Sequence, residues 1–101
     1  MSHTYMVTKS DKQVTELQKA FGDKIRRART SRGISQYCLA VELGLASAQN
    51  ISNLERGTQA IPAKYLGKLA RLLELNVESL VEDLVGLKRQ RILSEVHRYA
   101  E

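Results

Sequence analysis

The chain has 101 residues, 43% hydrophobic, with a formal net charge of +5, a single cysteine, one proline and no tryptophan. That length suits one small core rather than two, and the lone Cys38 excludes an internal disulfide and fits a reducing compartment. No stretch is lipid-like enough for a membrane span, and the segment Met1 to Met6 lacks an apolar signal core, so a cytoplasmic protein without membrane contact is expected.

Abundant Leu, Lys, Arg, Glu and Gln, with few helix breakers, predict an all-α protein. Met1 to about Ser10 is polar and unpatterned and reads as an arm, after which Asp11 is a candidate cap. Val14, Leu17, Phe21, Ile25 and Ala28 recur at three- and four-residue intervals, the stripe of an amphipathic helix reaching about Ser31. Gly22 interrupts that stripe and is expected to mark a break, with residues 14–20 as a separate extension. Gly33 ends the helix, and Ser35 caps a second from Gln36 to Leu43, which Gly44 stops.

Ser47 caps a third helix, Ala48 to Arg56, which buries Ile51 and Leu54 and ends at Gly57. Pro62 suits the first turn of a fourth helix carrying Leu66, Leu69, Ala70, Leu72 and Leu73. Asn76 caps a fifth, with Val77, Leu80, Val81, Leu84 and Val85 as its apolar positions. Beyond Gly86, the apolar Leu87, Ile92, Val96 and Tyr99 predict continued or renewed helix. They either pack back onto Val14, Leu17 and Phe21 or face a second subunit, and the second option is expected because it supplies a dimer.

The outward face of the third helix carries Ala48, Gln49, Asn50, Ser52 and Asn53, short uncharged side chains suited to base edges in a DNA major groove. Cations concentrate elsewhere. Lys19, Lys24, Arg26, Arg27, Arg29 and Arg32 crowd the first helix, while between Gly33 and Pro62 the only one is Arg56. That division fits phosphate contacts that position a protein and polar contacts that specify sequence.

The segment from Gly33 to Pro62 resembles the phage repressor/Cro, or Xre, family of DNA-binding domains. The resemblance rests on Gly33-Ile34-Ser35-Gln36, Leu39-Ala40, Leu43-Gly44, Ser47, Ile51-Ser52, Glu55-Arg56-Gly57, Pro62 and Leu69-Ala70. It implies a five-helix, lambda-repressor-like domain over residues 21–85, an N-terminal arm and extension over 1–20, and a C-terminal helical extension over 86–101. One residue more than the family pattern separates Gly44 from Ile51, and it is placed in the turn, as Leu45 or Ala46.

The resemblance implies duplex DNA as ligand, read by a homodimer on a palindromic operator near the nucleoid. Repression is the default mode, with RNA polymerase or another protein as a further partner. An antitoxin, masking a toxin and binding DNA secondarily, is the alternative. Base reading falls to Ala48, Gln49, Asn50, Ser52 and Asn53, with Gln49 and Asn53 foremost. Phosphate contacts fall to Arg29, Gln36, Tyr37, Ser47, Arg56, Thr58 and Gln59. Gln36 is expected to brace a side chain of the recognition helix as well, and Arg29 to pair with Glu55 and be turned toward phosphate. No catalytic constellation, metal-ligand spacing or cofactor motif is visible: His3 and His97 stand at opposite ends, and no enzyme is expected.

Overall fold

The computed structural model describes residues 9–100, so most of the expected arm, His3 included, lies outside the described residues. Helix α1 (Lys9–Ser31) begins earlier than the Asp11 cap would place it and runs unbroken through Gly22. The glycine serves close approach instead of a break. A Cβ there would sit 2.6 Å from the Glu55 carbonyl oxygen, with the Leu54 carbonyl closer still, so only a hydrogen atom fits between the two backbones.

Helix α2 (Gln36–Leu43) starts where the Ser35 hydroxyl accepts the Cys38 N–H at 3.0 Å, and ends at Gly44 with φ 75. The turn then resolves the position of the added residue. Leu45 donates its N–H to the Ala40 carbonyl and packs against the core, whereas Ala46 is exposed, so Ala46 is the residue the turn accommodates. Helix α3 (Ala48–Glu55) follows, with Arg56 at its C-terminal cap and Gly57 at φ 76.

Pro62 precedes the next helix rather than entering it: its ψ of 144 is extended, and a 3-10 turn (Ala63–Tyr65) leads into α4 (Leu66–Leu73). Glu74 then takes the left-handed conformation usual for glycine, φ 53, and pairs with Arg32. The Asn76 side chain accepts the Ser79 N–H at 3.0 Å and opens α5 (Val77–Tyr99), which passes Gly86 without interruption. Both long helices therefore cross the divisions drawn at 20/21 and 85/86.

The core gathers Phe21 and Ile25 of α1, Leu39 and Leu43 of α2, Ile51 and Leu54 of α3, Ile61, then Leu66, Leu69 and Leu73 of α4, and Leu80 of α5. Two 23-residue helices, each about 34 Å long at 1.5 Å per residue, stretch the molecule to 50 × 28 × 21 Å. Where they outrun the short helices they hold each other largely by polar contacts. Ser10 Oγ lies 2.7 Å from His97 Nδ1, Asp11 accepts from Ser94 and from Arg98, and Arg91 donates to Gln18 at 3.2 Å. The C-terminal extension thus packs on the same chain through Leu87 and Ser94, both buried, which corrects for Leu87 the expectation that the stripe from Leu87 to Tyr99 faces a second subunit. Leu93 is half-buried, while Ile92, Val96 and Tyr99 point outward, as do Val77, Val81 and Val85 among the apolar positions of the fifth helix. Among the described residues no helix is long and apolar enough to cross a membrane.

Candidate nucleic-acid interface

The interface begins with a buried ion pair. Arg29 of α1 donates from Nε and its terminal nitrogen to the two carboxylate oxygens of Glu55 in α3, at 2.6 and 3.0 Å. Its remaining nitrogen donates to the Ile34 carbonyl at 2.7 Å. The side chains are 11% and 3% exposed, so the pair is neither two solvated charges nor a cation presented to phosphate. The expected pairing of Arg29 with Glu55 is present, and its nitrogens are directed inward, tying α1, the loop before α2 and the last turn of α3 together. The Glu55 hydrogen bond raises the Arg29 guanidinium above its usual range, with burial acting in the opposite sense. A raised folded-state value means that the guanidinium's own linkage to stability is complete below its unfolded range and is lost as pH rises through the folded value, at extreme alkaline pH.

Gln36, at the first position of α2, donates its amide to Glu55 at 2.9 Å. It braces a recognition-helix side chain as expected, and that side chain is the inward carboxylate. Three elements thus converge on Glu55, and they fix the end of α3 against α1 and the start of α2. Reading only outward positions leaves Glu55 out of the site. The signal that finds it is a carboxylate four residues after buried Ile51, on the same face, where an unpaired charge is not tolerated.

On the outer face the expected base readers form a network. Gln49 donates to Asn53 Oδ1 at 2.9 Å, and Arg56 donates to the same oxygen at 2.6 Å. Asn53 donates in turn to Gln59 Oε1 at 3.1 Å, and the Thr58 hydroxyl and N–H both bond the Asn53 carbonyl. Residues assigned separately to bases and to phosphates are therefore joined, with Asn53 at the centre. No linear pattern shows the link from Asn53 to Gln59, because it forms only when the chain reverses at Gly57. Gln49 keeps its carbonyl oxygen and one amide hydrogen outside this network, the donor and acceptor that adenine recognition uses.

Asn50 is placed differently. Its side-chain oxygen accepts the Ser47 N–H at 3.1 Å, closing the start of the helix, and the residue is half-buried. Ser47 stands exposed at that cap, Ala48 and Ser52 are half-buried along the face, and Tyr37 stands free on α2 at 68% exposure. Of the five base-reading candidates Gln49 is exposed and the other four are half-buried, and the surface is neutral at its centre and cationic at one edge.

A model of the helix-turn-helix family matches residues 25–80, from the middle of α1 to the first turn of α5. The match takes in more than half of the chain and every element of the network above. The chain belongs to this family, in its Xre-like branch, and is a DNA-binding regulator in the general sense. Comparison with curated proteins and with solved structures gave no match.

Proposed function

We propose that the protein is a sequence-specific transcriptional repressor that binds a palindromic operator as a homodimer. The observation that carries this reading is the amide network of exposed Gln49 and half-buried Asn53 on a short helix whose far side is locked by Glu55. Such a face presents rigid donors and acceptors at low ordering cost, which suits base edges in the major groove. Arg56, Thr58 and Gln59, gathered at its end, support the flanking phosphate contacts. A helix of eight residues reaches only a few base pairs, so useful specificity requires two copies, with half-sites about 34 Å or a multiple apart.

The outer face of α5 supports a second copy. Val77, Val81, Val85, Ile92, Val96 and Tyr99 fall on one side of the helix at three-, four- and seven-residue intervals, and all are exposed. Glu78 and Glu82 lie beside the first half of that stripe, Lys88 and Arg89 beside the second. An antiparallel partner would set acidic half against basic half, an arrangement complementary to itself. Selection from random duplex DNA tests the reading: it should return a palindrome with one preferred spacing. Recovery of single, unpaired half-sites would defeat the homodimer, and recovery of no preferred sequence would defeat base reading.

A further inference from the structure

The cations of α1 divide into two sets. Lys24 pairs with Asp83 at 2.7 Å, Arg27 with Asp23 at 3.2 Å, Arg29 with Glu55, and Arg32, just past the helix, with Glu74. Lys12, Lys19 and Arg26 are exposed, and among the described residues none has a carboxylate within ion-pair distance. These three recur every seven residues, close to two full turns, so they stand on one line along the helix about 21 Å long. Lys9, which has no ion-pair partner among the described residues, lies off that line.

The middle of the line touches the recognition apparatus. A Cβ on Gly57 would lie 2.9 Å from Lys19 Cα and 3.1 Å from its Cγ, so the loop after α3 rests on Lys19 itself. That loop holds Arg56, Thr58 and Gln59 around Asn53. The line also faces away from α5, since the α1 residues turned toward α5, such as Lys24 with its bond to Asp83, lie on the other side. A strand of DNA carries one charge per about 3.4 Å of helix axis, so a row of this length spans several phosphates.

We infer that Lys12, Lys19 and Arg26 form a rail for the DNA backbone, continuing the phosphate contacts of the loop after α3 beyond the base pairs that α3 reads. Lys12 and Lys19 precede the matched residues 25–80, so the N-terminal half of α1 lengthens the footprint of the common domain. The inference rests on the DNA-binding reading above. Paired cations elsewhere on α1 are poor substitutes, because each already has an acidic partner to neutralise it.

The test is the salt dependence of binding by the full chain, measured on the selected duplex and on a fixed duplex of arbitrary sequence. The triple variant Lys12→Gln, Lys19→Gln, Arg26→Gln should flatten the slope of log affinity against log salt by about 2 to 3, at about 0.9 per phosphate contact. Base preference should not change. Arg27→Gln, which removes a paired cation from the same helix, should leave the slope as it was. Full retention of the slope by the triple variant, or an equal loss in Arg27→Gln, overturns the rail. A wild-type chain that selects no sequence defeats base reading instead, while the arbitrary duplex still decides the rail.

Discussion

The two exposed surfaces of this molecule are finished to different degrees. Around α3 the outward side chains are polar and already bonded to one another: Gln49, Arg56 and Gln59 all meet on Asn53. Along α5 the outward side chains are apolar, and Val85, Ile92, Val96 and Tyr99 are each at least half exposed. A polar network can stand in water until a ligand replaces some of its partners. An apolar stripe in water is unfavourable at every position, at roughly 25 cal/mol for each Å² left uncovered. The contrast teaches that one surface is organised within the single chain, whereas the other is the one that the proposed homodimer would cover.

Four variants can break or sharpen that contrast. The largest effect is expected from Glu55→Ala, which strands a buried guanidinium beneath the organised surface. Urea unfolding should show a loss of about 3–5 kcal/mol, whereas a surface ion pair would show almost none. Next comes the paired change Val85→Asp with Ile92→Asp on α5. Sedimentation should show self-association weakened by at least about 30-fold, the scale of one interface anchor, with the helical signal retained. Truncation after Val85 is a poorer probe, because it also removes Leu87 and the partners of Ser10 and Asp11.

Asn53→Ala should lower affinity for the selected duplex by about 1–3 kcal/mol, with little change on arbitrary duplex. Equal losses on both would mean that the network holds backbone and not bases. The smallest effect belongs to Gln59→Ala, which removes a single exposed hydrogen bond to Asn53. A change of at most about 1 kcal/mol in specific affinity is expected, and competition between duplexes differing at one base pair should resolve it.

Much of this was legible in the chain. Ser35, Gly44, Ser47, Gly57 and Asn76 bound their helices near the expected places, because caps and left-handed ends are local chemistry. The outer face of α3 was legible for the same reason, its residues following from helical spacing once Ile51 and Leu54 are inward. What failed were inferences that needed a third dimension. Gly22 looks like a helix breaker because its carbonyl neighbours, Leu54 and Glu55, are more than thirty residues away in sequence. Leu80 and Val81 stand side by side as apolar positions, one buried and one exposed, because apolar spacing cannot say which of two faces meets the rest of the chain. Arg29 looked available to phosphate because nothing local shows that its carboxylate partner is buried.

The close approach at Gly22 and Gly57 has an effect on how such a protein diversifies. At both points α3 or its loop rests on the main chain of α1, so the height of the reading head is set by the radii of backbone atoms rather than by side-chain volume. Substitutions in the leucine-rich interior can shift packing without tilting that seat. The outward residues of α3 can change identity without disturbing what lies beneath. On the proposed function, new target sequences would be reachable by single exchanges on an unchanged mounting, provided that both glycines stay.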